Sequence, residues 1–417
     1  MTLRAIFSVR FFVATLVGGS LITVFACTNS HKLKQGRWLD SWANSHLSTA
    51  VTKNELQVQA TIPEVLDHQT IRLVLWNQLA GDSVRVRITN QFGLKSLHIN
   101  SARIAVHAGQ GKIELETDRA LTFDGKTSVS IPKGEEIWSD PVNLRVTAEQ
   151  ELAVSLYIAT SFTPVQFHPV GLSTAYLSSN SGDKTAAEYF PKQSTTTMNF
   201  FVNNLQVNTT RDSSVIVALG DSITDGCCVA PDLRANWPDG LSKKLRRNIQ
   251  NKQFSVINMG IGSNRFCASD GAGPSGLHRL EHDVLSRNGV DYVVIMEGIN
   301  DISYEHISAN ALITCYKTAI VQARKAGIKV LMSPLLPIKY SVKDTPENEL
   351  TRQAVNTWIR TTSLEMGGPD AVIDFESAVM SEEDKLMINK NFTTDFVHPN
   401  EKGYAAMVDA IDLTLFQ

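Results

Sequence analysis

Four short stretches carry a hydroxyl, amide donors, a carboxylate and an imidazole that could act together. Val215 to Leu219 is an unbroken apolar run that ends in Gly220-Asp221-Ser222. Glycine permits a tight turn, and a serine just past it would stand at a helix N-terminus, where free N–H groups can stabilise an oxyanion. This is not the G-x-S-x-G elbow, because Thr224 stands where that pattern needs its second glycine. A second apolar run, Phe254 to Met259, leads through Gly260-Ile261 to Gly262-Ser263-Asn264-Arg265, a spacing that lets backbone approach a cleft and turn an N–H into it. A third, Tyr292 to Met296, leads to Glu297-Gly298-Ile299-Asn300-Asp301, where the Asn300 carboxamide could donate to an oxyanion. Near the C-terminus comes Asp395-Phe396-Val397-His398. There the carboxylate would accept from one ring nitrogen and leave the other to take a proton from serine. Singly, each stretch also reads as a turn, a loop or a helix cap. In order, three of them at consecutive strand ends, they supply the nucleophile, oxyanion donors and acid–base pair of acyl transfer.

These groups can meet only if the chain folds them to one rim, and the hydrophobic period says how. From Val215 onward apolar runs alternate with amphipathic stretches. Strands are expected at 215–219, 254–259, 292–296, 329–333 and 372–375, and helices at 237–249, 310–326, 350–361 and 401–415. Gly327 suits a helix C-terminal cap. Such alternation implies a parallel sheet with helices on both faces and a site beyond the carboxyl ends of its strands. From Arg37 to about Leu205 the period is two instead. Thr70 to Trp76 and Ser83 to Thr89 flank Gly81-Asp82 and read as a hairpin, and Ile104 to His107, Ser128 to Ile131 and Leu152 to Ile158 look alike. This half is expected to be an antiparallel β-sandwich-like domain. The polar segment from Asn203 to Ser214 reads as the linker. The expected organisation is a signal peptide over 1–27, a tether over 28–36, a β-rich accessory domain over 37–205 and an α/β catalytic domain over 206–417.

The chain has 417 residues, 43% apolar and 19% charged, with a formal net charge of −3. That is an ordinary globular balance, and no basic excess marks a nucleic-acid partner. Arg4 and Arg10 precede an apolar stretch ending at Ala26-Cys27, the layout of a secretion signal. Ala26 before Cys27 resembles a bacterial lipoprotein cleavage box, which makes Cys27 a candidate lipidation site and the only expected membrane attachment. The alternative is a plain signal peptide cut near Ala26. Export permits disulfides, and Cys227 or Cys228 could reach Cys267, while Cys315 reads as a small buried residue in a helix. No Cys/His spacing reads as a zinc site, and no cofactor is expected.

The same blocks resemble the GDSL, or SGNH, hydrolases: Gly220-Asp221-Ser222-Ile223, Gly298-Ile299-Asn300-Asp301 and Asp395-x-x-His398. The resemblance implies a flavodoxin-like α/β/α fold and a Ser–His–Asp esterase. Ser222 would be the nucleophile, His398 the base and Asp395 its orienter. The Ser222 N–H, a second-block N–H and the Asn300 side chain would form the oxyanion hole. Block two departs from the family, since Ser263 stands where glycine is usual. Its N–H serves if Ser263 can adopt the required dihedrals, with Gly262 as the alternative donor. Trp42-Ala43, Arg85 to Gly93, Arg119 to Phe123, Asp140-Pro141 and Trp237-Pro238-Asp239 look like a bacterial branch with a β-rich N-terminal domain, similar to secreted esterases encoded near xylan-degrading enzymes. The resemblance does not itself name a substrate; together with export and a β-domain that could grip an extended chain, it favours short acyl groups, acetyl first, on a polysaccharide or small-molecule ester. A lipid or lysophospholipid esterase, an acyltransferase and a non-catalytic glycan-binding lipoprotein are the competing readings.

Overall fold

Two antiparallel sheets face each other in the N-terminal half of the computed structural model, which describes residues 36–48, 65–269 and 273–417. The expected signal peptide, most of the tether and Cys27 lie outside the described residues. One sheet runs in the order Arg37–Ala43, Val202–Thr209, Gly81–Thr89, Val142–Val146, with Glu136–Trp138 also paired to Gly81–Thr89. The other runs Lys192–Thr196, Ala175–Ser178, Gln69–Trp76, Glu151–Ile158, Ser101–Val106, Arg119–Ala120. Val84, Val86 and Ile88 of the first sheet and Ile71, Leu73 and Leu75 of the second share one buried core. The period-two reading of this half therefore holds as a sandwich of two antiparallel sheets.

Two local expectations are corrected. Gln69–Trp76 and Gly81–Thr89 are not a hairpin, because the chain crosses from one sheet to the other between them. That crossing is fixed by Ser41, whose Oγ accepts the N–H groups of Gln78 and Leu79 at 2.9 and 3.0 Å. The expected linker is no linker either: Val202–Thr209 is an inner strand paired on both sides. Most of its polar residues are buried in a hydrogen-bonded layer. Asn204 and Gln206 donate to Asp40 at 2.8 and 2.6 Å, and Arg87 donates to Asn203 Oδ1 at 3.0 Å. Buried polar groups that find partners inside look, in sequence, like solvated ones.

Ser213–Gly220 then opens a five-stranded sheet in the order Gln253–Gly260, Ser213–Gly220, Val290–Met296, Lys329–Met332, Ala371–Val372, every pair parallel. This is the flavodoxin-like order, second strand, first, third, fourth, fifth. The first strand is buried along its whole length. Val215, Val217 and Leu219 pack into the core shared with the sandwich and with Ala309–Lys325 and Pro346–Thr361. Ile216 and Ala218 pack on the opposite face, against Trp237–Asn248, Phe375 and Tyr404. Alternate residues of one strand thus feed two apolar layers, which explains its unbroken apolar run. Gly36–Gln417 forms one compact unit. Gly327 takes φ +79° after its helix, as a left-handed cap. Phe375, expected at a strand end, instead starts the helix Phe375–Val379 because Asp374 caps it, and the last long helix ends at Asp409.

The disulfide differs from expectation: Cys267 pairs with Cys315, their Cα atoms 5.9 Å apart, and Cys227 and Cys228 are free thiols. The Asp301 carboxylate accepts the Phe266 and Cys267 N–H groups at 2.6 and 2.7 Å, drawing that loop toward the third strand's helices. Cys227 and Cys228 sit at the other end of the site, where the Tyr404 hydroxyl donates to the carbonyls of Ile223 and Cys227.

Candidate active site

Gly220 ends the central strand where no side chain fits, since a Cβ there would lie 2.1 Å from Thr224 Oγ1 and 2.6 Å from the Met296 carbonyl. The chain turns, Asp221 caps the Ile223 N–H at 3.0 Å, and Ser222 begins the short helix Ser222–Asp225. The Ser222 hydroxyl lies 2.8 Å from His398 Nε2. His398 Nδ1 lies 2.7 Å from Asp395 Oδ2, and Asp395 Oδ1 accepts the backbone N–H groups of Val397 and His398 at 2.9 and 2.8 Å. Thr393 closes the loop by donating to the His398 carbonyl at 2.8 Å. With Nδ1–H donating to the Asp395 carboxylate, Nε2 is free to accept the serine proton. Burial opposes ionisation of Asp395, but the hydrogen bonds from the His398 ring and from two backbone N–H groups outweigh it and hold the carboxyl well below its usual range. Burial likewise disfavours the charged His398 ring, yet Asp395 wins and raises its pKa above the ordinary value. Ser222 and His398 are half-buried, so the pair is reachable.

Beside Ser222 lies a turn in which the Asn264 N–H donates to the Ile261 carbonyl at 3.1 Å. Ser263 takes its third position at φ +58°, the left-handed conformation glycine usually supplies. The serine therefore adopts the backbone that the missing glycine would have given. Gly262 is corrected as a donor: its N–H is spent on Asp225 Oδ2 at 3.1 Å. Asn300, in the first turn of Ile299–Tyr304, donates one Nδ2 proton to the Asn264 carbonyl at 2.8 Å. The carboxamide has a second Nδ2 proton to offer a ligand.

Sequence reasoning missed the groups that orient these donors. Lys343 Nζ donates to Asn300 Oδ1 at 2.8 Å, which fixes the amide with its NH2 edge away from the lysine. Burial lowers the Lys343 pKa to about 8. The residue sits in the loop after the fourth parallel strand but well past the strand end, behind Lys339 and Tyr340, so a rule that looks just after each strand does not single it out. Arg279 is buried and ties three parts of the rim together. It donates to the Gly220 carbonyl at 2.9 Å, the Met259 carbonyl at 2.6 Å and Asn264 Oδ1 at 2.9 Å. His168, from the sandwich half, meets Asp225 Oδ1 at 3.1 Å, and the other oxygen of Asp225 holds Gly262. No local pattern announces either residue, because each acts through distant backbone.

A hydroxyl, an imidazole and a carboxylate in hydrogen-bonded series, at the end of a parallel strand and next to an amide donor, is an arrangement for acyl transfer through a serine. The family match supports the class of carboxylic ester hydrolase. Residues 218–406 match the GDSL-like lipase/acylhydrolase family, and the chain carries a domain of that family behind its β-rich N-terminal region. Among solved structures, the chain is similar to a carbohydrate acetylesterase family member from Sinorhizobium meliloti, at 16% identity over 48% of this chain and 97% of that one, TM-score 0.40. It is also similar to the aryl esterase of M. smegmatis, at 20% identity over 47% and 95%, TM-score 0.39. A GDSL-like lipase from Bacteroides thetaiotaomicron matches at 19% identity over 49% and 88%, TM-score 0.38. No curated protein matches the chain.

Proposed function

We propose that this chain is an exported serine esterase that removes short acyl groups, acetyl foremost, from carbohydrate. The observation that carries the catalytic part is the series from Ser222 through His398 to Asp395, at 2.8 and 2.7 Å. In the reaction His398 Nε2 takes the Ser222 proton as Oγ bonds to the ester carbonyl carbon. The resulting oxyanion meets the Ser222 and Ser263 N–H groups and the Asn300 NH2. The tetrahedral intermediate collapses, the C–O bond to the alcohol breaks, and His398 returns the proton to that alcohol. Water, deprotonated by His398, then cleaves the acyl-enzyme. Asp395 keeps the ring in the required tautomer and stabilises it when charged.

The carbohydrate part is supported by the surroundings. Tyr304 and Tyr340 are 52% and 62% exposed. Tyr304 stacks against Lys343 at 4.1 Å, and Tyr340 packs edge-on to Phe396, which lies between Asp395 and His398. Exposed tyrosines among charged groups pair an apolar ring with a polar tip, which suits a sugar better than an acyl chain. Export rests on the N-terminal sequence layout, with Cys27 as the attachment point if it is lipidated. The test is a p-nitrophenyl ester series from acetate to long chains, together with acetate release from acetylated xylan. Turnover that is highest on acetate and lost in Ser222→Ala is expected. A preference for long chains would favour a lipid esterase, and no turnover of any ester by the folded protein would refute the esterase.

A further inference from the structure

The two free thiols lie at the active site and have no part in the reaction above. Cys227 and Cys228 follow the nucleophile's helix directly, with their Sγ atoms 3.2 Å apart. Neighbouring side chains on an extended chain point to opposite sides. Here Cys228 takes φ +70°, an uncommon backbone for a residue with a Cβ, and both thiols face the same way. The first is held on the serine's own turn, since the Cys227 N–H donates to the Ser222 carbonyl at 2.9 Å. The second is exposed to solvent. One ligand atom from each thiol and one ring nitrogen of His398 all lie within 4.8 Å of one another. Tetrahedral Zn2+, with bonds of about 2.0–2.3 Å, needs ligand atoms roughly 3.5–3.8 Å apart, so shifts of about an ångström or less complete the set.

We infer that Cys227, Cys228 and His398 form a site for a thiophilic divalent cation such as Zn2+, and that its occupancy switches the esterase off. The binding rests on the cluster alone, and the inhibition rests on the proposed role of His398. The ring nitrogen that binds is Nε2, because Nδ1 is held by Asp395 Oδ2 at 2.7 Å. A carboxylate behind a ligating imidazole is a common second-shell arrangement that fixes the ring for the metal. Each thiol releases a proton as it forms its bond to the ion, and nothing is oxidised or reduced. Two thiolates and one imidazole leave the fourth position to water. The bound ion takes the lone pair that would accept the Ser222 proton, so the nucleophile loses its base.

The experiment uses the full chain, reduced and metal-free, with its thiols counted beforehand. Titration with Co2+ should give a thiolate-to-cobalt charge-transfer absorption that saturates at one Co2+ per chain, that Zn2+ displaces and that Cys227→Ser/Cys228→Ser lacks. Micromolar Zn2+ should lower p-nitrophenyl acetate hydrolysis about tenfold or more, chelator should restore it, and the double variant should need at least about 30-fold more Zn2+. Unchanged cobalt absorption in the double variant, or none in the wild type, overturns the site even if esterase activity is normal. Equal Zn2+ sensitivity of the two proteins overturns the inhibition. A Cys227–Cys228 disulfide that mild reductant does not open overturns both, because no thiolate is then available. Cobalt binding with no esterase activity at any metal level supports the cation site while refuting the esterase reading.

Discussion

Replacing Lys343 with methionine tests whether the oxyanion site is oriented from behind. The substitution keeps side-chain length but removes the ammonium that donates to Asn300 Oδ1 at 2.8 Å. Two losses follow. The amide loses one of the two bonds that set its direction and keeps only its donation to the Asn264 carbonyl at 2.8 Å. The oxyanion also loses a positive charge which, counted through the amide and one hydrogen bond, stands roughly 7 Å away. At an effective dielectric constant of about 20, that charge is worth about 2.4 kcal/mol, or close to 60-fold in rate. Losing the Asn300 donor outright, in Asn300→Ala, should cost about 100- to 1000-fold. Lys343→Met is therefore expected to lower kcat on p-nitrophenyl acetate by about 60-fold with little change in KM, because the charge acts on the transition state. The orienting bond acts through Asn300 but the charge acts on the oxyanion directly, so the double variant should lose only somewhat less than the product of the two single losses. Burial lowers the Lys343 pKa to about 8, so wild-type kcat should fall as pH rises through about 8 and the lysine loses its charge. That limb should vanish in Lys343→Met. A folded Lys343→Met protein with kcat within about twofold of wild type, and the same alkaline limb, would refute the reasoning.

Asp395→Asn should cost about 10³- to 10⁴-fold in kcat, by presenting the wrong tautomer of His398. The wild-type acid limb of kcat/KM should lie above the ordinary histidine pKa of 6.5, since the Asp395 carboxylate outweighs burial and raises that of His398. In Asp395→Asn the limb should move to lower pH, as a pH–rate profile would read. His168→Ala should destabilise the fold by about 3–5 kcal/mol in urea unfolding, because it leaves the buried Asp225 without its ionic partner. Burial disfavours the charged His168 ring, but Asp225 and two carbonyls raise its folded pKa. The pair's stabilisation should therefore be complete below the unfolded histidine pKa of about 6.5 and fade as pH rises through the folded value. Cys315→Ser should cost about 3–4 kcal/mol, the loop-entropy effect of a link spanning 48 residues, read as a lower denaturation midpoint than the oxidised wild type shows.

The strands and helices of the α/β half were legible because each apolar run is buried for its own composition. Val215 to Leu219 reads as a strand with or without its neighbours. Ser222 was legible because Gly220-Asp221-Ser222 is local, and so was the Asp395–His398 pair, three residues apart on one loop. Resemblance to a family named the set, and the fold brings its members within hydrogen-bond reach. The errors share one cause. The polar strand Val202–Thr209 looked like a linker because a buried, hydrogen-bonded asparagine and a solvated one are the same letter. Ser263 is the expected donor with Gly262 as the alternative, and only the structure shows that Asp225 takes the Gly262 N–H. The pairing of Cys267 with Cys315, the crossing between the two sandwich sheets, and the reach of Lys343, Arg279 and His168 into the site all depend on distances between elements far apart in the chain. By itself the sequence determined the period of each half and the reactive groups at the strand ends, since these follow from local composition. Tertiary structure alone decided which polar groups satisfy which, because a hydrogen bond is set by position in space and carries no period along the chain.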